Sequence, residues 1–246
     1  MVIKNERLKE KIVIALDFSS PDAAKEIVNH LGENVLWYKV GMELFTAAGP
    51  KIIEELAQQN KKVFLDLKYH DIPNTVAQTA KLLVGTGVSM FNIHISGGKK
   101  MIQKTLEAVH KEAENQGVIP PKILGVTMLT SLDEWEFKNI LGFSGRLEDK
   151  VLEWAKLAEN LGLDGVVASP LEAARIKELT HSGFLIVTPG IRPKSSVSND
   201  QMRKNTPGKA LISGATHLVM GRPITNCKTI TERKKVLTEV FNDMKD

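Results

Sequence analysis

The sequence predicts an α/β protein of the (β/α)8, or TIM, barrel class. Eight short apolar runs alternate with longer amphipathic segments, which is typical of repeated strand–helix units. No low-complexity tract or linker interrupts this alternation, and 246 residues is an ordinary length for one such barrel. We therefore predict a single domain over residues 1–246, with a short N-terminal extension at 1–11 and a closing helix at 229–244.

The predicted strands are runs of aliphatic, aromatic and β-branched residues that are too short for typical helices. They cover Ile12–Asp17, Leu36–Val40, Lys62–Lys68, Met90–His94, Lys122–Thr127, Gly165–Ala168, Leu185–Thr188 and His217–Met220.

The predicted helices fill the intervals between these strands. They cover Pro21–Leu31, Pro50–Gln59, Pro73–Val84, Lys99–Glu114, Leu147–Leu161, Pro170–Leu179 and Gly208–Ile212. Ser20 and Ser169 each stand directly before a proline, and this combination of a capping residue with proline predicts a helix start at both places.

Charge and cysteine content exclude several classes of protein. Lys and Arg number 33 against 29 Asp and Glu, and this mild excess suits an anionic ligand. The chain has no dense Lys/Arg run and only 5% aromatic residues, so we predict no nucleic-acid partner. Cys227 is the single cysteine, which excludes an internal disulfide and multi-cysteine metal sites. Since no stretch has the length of a membrane span, we expect a cytoplasmic protein with no membrane association.

The end of the third strand carries charges of both signs. If the strand is regular, Phe64, Asp66 and Lys68 share one face. A carboxylate and an ammonium group are costly to bury unless they are paired or act on a ligand. Asp71 follows directly, and Pro73 predicts the start of the next helix. The sequence therefore indicates a functional site at this strand end.

Polar or turn-forming residues also follow most of the other strands. In a (β/α)8 barrel the active site lies where the strands lead into the following loops. The residues predicted at or near this mouth are Asp17, Lys39, Asp66, Lys68, His94, Thr130, Pro189 and Gly221.

The loops after strands seven and eight predict a phosphate site, because barrels commonly bind phosphate there. Arg192 follows strand seven, and Gly221 and Arg222 follow strand eight. Glycine permits close backbone approach, and a guanidinium group binds phosphate oxygens through a planar fork. The segment 192–206 is long and polar, so we predict a lid whose Gln201 reaches the phosphate.

Residues 66–75, Asp-Leu-Lys-Tyr-His-Asp-Ile-Pro-Asn-Thr, belong to a series of motifs that spans nearly the whole chain. The others are Ala15-Leu16-Asp17, Tyr38-Lys39-Val40-Gly41, Asn92-Ile93-His94, Leu129-Thr130-Ser131, Thr188-Pro189-Gly190-Ile191-Arg192-Pro193, Asp200-Gln201 and Val219-Met220-Gly221-Arg222-Pro223-Ile224. In order and spacing this series resembles the bacterial branch of the orotidine 5'-phosphate decarboxylase family. The resemblance implies conversion of orotidine 5'-monophosphate to uridine 5'-monophosphate and CO2, the last step of UMP synthesis, without a cofactor or metal.

The resemblance also implies roles for individual residues. Lys68 would protonate C6 of the pyrimidine as CO2 leaves, and Asp66 would lie beside the substrate carboxylate. Lys39 would bind the ribose and hold Asp66, and Asp17 would bind a ribose hydroxyl. Asp71 would complete the site of the partner subunit in a homodimer. Further substrate contacts would come from Ile72, Thr75, Thr130, Pro189, Arg192, Gln201, Gly221 and Arg222.

Three alternatives stay open at this point. A 3-keto-gulonate-6-phosphate decarboxylase shares an Asp-x-Lys-x-x-Asp pattern but uses magnesium and lacks the Pro-Asn-Thr continuation. A Schiff-base aldolase would use Lys68 as a nucleophile, although flanking carboxylates should keep that lysine protonated. A phosphate-binding barrel without catalysis would tolerate Lys68→Ala.

Overall fold

In the computed structural model, which describes residues 5–196 and 206–245, eight parallel strands close into a barrel in sequence order. The strands are β1 Ile12–Ala15, β2 Trp37–Gly41, β3 Lys62–Tyr69, β4 Val88–His94, β5 Lys122–Val126, β6 Gly165–Val167, β7 Leu185–Thr188 and β8 His217–Met220. Strand β8 pairs with β1 and closes the ring. The predicted fold class is confirmed, and all eight predicted strands are present.

Helices follow the strands on the outside of the barrel. They are α1 Glu6–Lys9, α2 Pro21–Leu31, α3 Met42–Ala48, α4 Lys51–Gln58, α5 Pro73–Lys81, α6 Gly98–Gln116, α7 Glu134–Asn139, α8 Leu147–Leu161, α9 Ala173–Leu179, α10 Pro207–Ile212, α11 Arg222–Thr225 and α12 Ile230–Asp243. The sequence did not predict the short helices α1, α3, α7 and α11. Within the described residues, no helix combines the length and apolar character needed to cross a membrane.

The two predicted serine caps had different outcomes. Ser20 caps α2, because its side chain accepts a hydrogen bond from Ala23 N–H. The prediction for Ser169 was wrong, since helix α9 begins three residues after Pro170 and has Glu172 at its N-cap position. The Ser169 hydroxyl instead accepts a hydrogen bond from Leu171 N–H, which holds this stretch in a turn.

The core has two layers, one on each face of the strands. The layer between strands and helices contains most of the buried aliphatic side chains. The layer inside the barrel takes one side chain from most strands: Val13, Ala15, Trp37, Phe64, Met90, Leu124, Val187 and Val219. Because side chains alternate along a strand, the residue two positions further on faces inward at the mouth.

A polar cluster closes the opposite, N-terminal end of the barrel. Trp37 Nε1–H donates to the Glu10 carboxylate over 2.8 Å, and Lys62 Nζ lies 2.7 Å from the same carboxylate. The His217 ring packs edge-on against Trp37 with 5.5 Å between centroids. Burial, and then the positive charges of Lys11 and Lys62, lower the pKa of His217 to about 4 against the opposing effect of Glu10. His217 is therefore neutral in the folded protein at neutral pH.

We expect His217 to make the fold sensitive to mild acid. Its pKa is lower in the folded than in the unfolded chain, so the unfolded chain binds the proton first and stability falls between about pH 6.5 and 4. From pH 7.5 to 5 this one group should remove about 2 kcal/mol of unfolding free energy. Urea unfolding at both pH values measures this loss of unfolding free energy. His217→Gln should abolish the contribution of His217, whereas His110→Gln, which changes an exposed histidine, should retain it. An unchanged pH dependence in His217→Gln would contradict this assignment.

Candidate active site

The inward-facing positions above the barrel core carry the candidate catalytic residues. Asp17 follows Ala15 by two residues, and Lys39, Asp66 and Asn92 follow Trp37, Phe64 and Met90 by the same interval. All eight strands run in one direction, so these side chains meet at one mouth.

The charged side chains form a continuous network of alternating sign. Lys39 Nζ lies 2.8 Å from Asp17 Oδ1 and 3.3 Å from Asp66 Oδ2. Lys68 Nζ lies 2.7 Å from Asp66 Oδ1. The Lys39 and Asp66 side chains are only 11% and 12% exposed, whereas that of Asp17 is 57% exposed. The network therefore runs from solvent at Asp17 to a nearly buried carboxylate at Asp66.

Asp66 is ionised despite its burial. Desolvation is the largest influence and would raise the pKa of this carboxyl, but Lys39, Lys68 and a hydrogen bond from Asn92 together lower the pKa below its usual value. Asn92 is fully buried and donates from Nδ2 to Asp66 Oδ1 over 2.7 Å. A charge with three such partners has little freedom to move, so its position is fixed before a substrate arrives.

The backbone of Lys68 is unusual for a residue in a strand. Its φ is +51°, in the left-handed region that side-chain-bearing residues rarely adopt. The register between β3 and β4 shifts here, since Leu65 pairs with Phe91 but Tyr69 pairs with Ile93. Lys68 N–H donates to Asn92 Oδ1 over 2.8 Å. The regular alternation predicted for this strand is therefore broken at Lys68, and Asn92 holds the irregular backbone in place.

Two glycines shape the mouth. A Cβ on Gly41 would lie 3.0 Å from Lys39 Nζ and 3.1 Å from Asp17 Oδ1, so a side chain there would press on this ion pair. Gly190 has φ of +79°, which places it in the left-handed region at the turn after β7. Gly41 and Asn92 both lie in motifs recognised in the sequence, but neither was predicted to be a site residue.

Two histidine rings pack together beside the network. The centroids of His70 and His94 are 5.2 Å apart. Burial, followed by electrostatic interaction with His70 and with Lys68, lowers the pKa of His94, while Asp66 acts in the opposite direction. His94 is thus neutral at neutral pH and leaves the alternation of charges unchanged.

A cavity of about 290 Å³ lies at the mouth between the two sides of the barrel. It brings together seven of the predicted site residues: Asp17, Lys39, Asp66, Pro189, Arg192, Gly221 and Arg222. Carboxylates and Lys39 lie on the β1 to β3 side, and the two arginines lie after β7 and β8. Within residues 5–196 and 206–245, no group of three or more His, Cys, Asp or Glu side chains has a metal-binding arrangement.

The other predicted site residues lie outside this cavity. Lys68 adjoins it through Asp66. Asp71 is exposed and its carboxylate accepts a hydrogen bond from Ile72 N–H, while Ile72 is 68% exposed and Thr75 lies on the exposed first turn of α5. Thr130 lines a separate cavity after β5. Gln201 and most of the predicted lid lie outside the described residues.

Comparison with known proteins gives concordant matches over almost the whole chain. The sequence model of the orotidine 5'-phosphate decarboxylase / HUMPS family matches residues 10–245. The orotidine 5'-phosphate decarboxylase of Moorella thermoacetica is 47% identical over 88% of this chain and 86% of its own length. That of Syntrophomonas wolfei is 44% identical over 91% of this chain and 94% of its own.

A solved structure agrees with these sequence matches. The crystal structure of orotidine 5'-phosphate decarboxylase from Lactobacillus acidophilus superposes with a TM-score of 0.83 at 36% identity, over 96% of this chain and 100% of that one. The family match over residues 10–245 takes in every strand of the barrel. The chain belongs to the orotidine 5'-phosphate decarboxylase / HUMPS family.

Proposed function

We propose that this protein decarboxylates orotidine 5'-monophosphate to uridine 5'-monophosphate and CO2, the last step of UMP synthesis. Membership of the family and the names of the relatives described above support the reaction. The observation that carries the proposal is the contact of 2.7 Å between Lys68 and the buried, ionised Asp66 at the barrel mouth.

The two sides of the cavity suit the two ends of a nucleotide. Arg192 and Arg222 lie at the usual phosphate position of a barrel, and Gly221 allows close approach of a phosphate oxygen. Asp17 and Lys39 then lie within reach of ribose hydroxyls. This orientation directs the pyrimidine toward Asp66 and Lys68, with Thr130 on the far side of the ring.

The proposed chemical step needs only the side chains at the mouth. The bond between C6 and the carboxylate breaks, its electron pair stays on C6, and CO2 leaves. Lys68 donates a proton from Nζ to C6, which forms the C6–H bond of the product, and the neutral amine regains a proton from solvent. Lys68 also stabilises negative charge on C6 before the transfer is complete.

Asp66 contributes through its fixed negative charge. Its partners hold it ionised, so a substrate carboxylate placed beside it would be repelled in the ground state, and the departure of neutral CO2 would relieve that repulsion. Preorganised charges need no rearrangement during the reaction, and we assign the larger part of the rate to the stabilisation of C6 by Lys68. Contacts to the remote phosphate would supply binding energy that is used at the reacting carbon.

We also propose that the working enzyme is a homodimer. Asp71, Ile72 and Thr75 lie together where β3 leads into α5, and the exposure of Ile72 leaves a large apolar side chain uncovered in the single chain. A partner subunit seated there would cover Ile72 and receive the Asp71 carboxylate at its own mouth.

The first prediction concerns Lys68. We expect the intact protein to convert orotidine 5'-monophosphate in excess EDTA, as followed by ultraviolet absorbance, and Lys68→Ala to be at least about 10³-fold slower because both proton transfer and charge stabilisation are lost. Lys235→Ala, an exposed change on α12, should be fully active. A folded protein that leaves orotidine 5'-monophosphate unchanged would refute the proposed reaction. Turnover of a sugar phosphate with added magnesium would then favour the 3-keto-gulonate-6-phosphate type of chemistry.

The second prediction concerns Asn92. Its replacement by alanine removes a donor to Asp66 and the acceptor for Lys68 N–H, so we expect a stability loss of about 2 to 3 kcal/mol and a fall in kcat of at least tenfold. Ser89→Ala is the matched control, because Ser89 on the same strand β4 accepts a bond from Val63 N–H on β3 away from the mouth. Equal effects of the two changes on kcat would show that Asn92 has no special role in the site.

The third prediction tests the shared site. Asp71→Ala and Lys68→Ala should each be inactive alone. After subunit exchange about half of the dimers are mixed, and each mixed dimer contains one intact site of two. The mixture should therefore regain up to about a quarter of the activity of the same amount of parent protein. Exchange can be verified by native mass spectrometry on subunits of different tag length. A verified mixed dimer without activity would contradict a site completed by Asp71.

A further inference from the structure

The segment that joins β7 to α10 contacts the closing helix α12 through residues near the N-terminal end of the segment. Lys194 Nζ lies 2.5 Å from Asp243 Oδ1. Ser195 donates from its N–H to Glu239 Oε1 over 2.8 Å and from its hydroxyl to Glu239 Oε2 over 2.6 Å. These contacts begin two residues after Arg192, which lines the cavity at the phosphate position.

The C-terminal end of the same segment, where it leads into α10, also contacts Asp243. Gly208 N–H donates to Asp243 Oδ2 over 2.8 Å in the first turn of α10. A Cβ on Gly208 would lie 2.2 Å from the Asp243 carbonyl oxygen, so only glycine permits this approach. Asp243 thus uses one carboxylate oxygen for each end of the segment.

The charge of Asp243 depends on both ends. The residue is only 6% exposed, and desolvation would raise the pKa of its carboxyl. Contacts with Lys194, the Gly208 N–H and the Thr206 side chain outweigh that effect and lower the pKa. An ionised carboxylate in this position is stable only while its partners stay in place, which makes it a strong constraint on where the two ends lie.

We propose that Asp243 and Glu239 are positioning residues for phosphate binding. They touch no part of the cavity, and they act by fixing Lys194 and Ser195 so that the turn through Arg192 stays at the phosphate position. The inference rests on the proposed function and deepens it, because it assigns to the C-terminal helix a role in recognising the phosphate end of the substrate.

A purely structural role for Asp243 makes a different prediction. Loss of general stability would impair every substrate equally. Loss of loop position would impair only ligands that carry a phosphate, because the charged network on the β1 to β4 side would be unchanged. Orotidine, the nucleoside without the phosphate, is therefore the discriminating substrate.

The test compares Asp243→Asn and Lys194→Gln with Glu153→Gln, which changes a solvated i,i+3 ion pair on α8. For the first two variants we expect kcat/KM for orotidine 5'-monophosphate to fall about tenfold, mainly through KM, as for loss of one charge-assisted contact. The value for orotidine should change less than about twofold in both, and Glu153→Gln should match the parent with both substrates. Lys194 is 60% exposed, so Lys194→Gln decides the matter alone if Asp243→Asn does not fold.

Binding of inorganic phosphate by calorimetry gives a second readout that does not depend on turnover. Weaker phosphate binding in the two variants supports the inference even if the parent fails to decarboxylate its nucleotide, an outcome that would refute only the proposed function. Equal losses with both substrates, an unchanged KM for the nucleotide, or a selective loss in only one of two folded variants would overturn the inference.

Discussion

The site depends on one buried negative charge. Asp66 is almost fully enclosed, and a carboxylate in such a place is tolerated only when cations and hydrogen-bond donors surround it. Lys39, Lys68 and Asn92 meet that need, and each of them is in turn held by its contact with Asp66. Removal of one partner would leave the buried charge of Asp66 incompletely compensated, which is energetically costly. The members of the network therefore constrain one another more strongly than the members of a surface ion pair do.

The barrel supplies the conditions under which this network is strong. Directly beneath it lies the apolar interior layer, with Phe64 under Asp66 and Trp37 under Lys39. Apolar side chains keep water away from one side of the charges, and the lower local dielectric strengthens every interaction among them. The same packing that stabilises the barrel therefore sets the electrostatic strength of its mouth.

Part of this arrangement could be predicted from the sequence, because side chains alternate between the two faces of each strand and the strands are parallel. The positions of Asp17, Lys39 and Asp66 at one mouth follow from strand direction and from which side chains face inward, and both are local properties of sequence. The left-handed backbone of Lys68 is different, because it comes from a mismatch in register between β3 and β4 that neither strand specifies alone. Asn92 left a signal, since it is a polar residue two positions after Met90 on the inward face of β4.

Other differences between expectation and structure have tertiary causes. Ser20-Pro21 and Ser169-Pro170 carry the same capping signal, but the second lies in a turn between β6 and α9, so local preference did not set the helix start. Asp71, Ile72 and Thr75, at the start of α5, are exposed in the single chain. The sequence of one chain does not specify which surface of a partner would cover them. The role of Asp71 accordingly rests on the family resemblance.

The two sides of the mouth are built differently, in a way that suits their proposed tasks. The charged side is carried by strands β1 to β4, whose backbone positions are fixed by the barrel itself, and preorganised charges need that rigidity. The proposed phosphate side is carried by loops after β7 and β8, and the first of these loops is attached through the side chains of Asp243 and Glu239 to a helix outside the barrel. These side-chain contacts hold the loop from outside the barrel, whereas the strands are held by their own pairing. In the proposed reaction, a reacting end fixed by the barrel and a binding end anchored to α12 would allow phosphate contacts to hold the pyrimidine against Asp66 while Lys68 keeps its place.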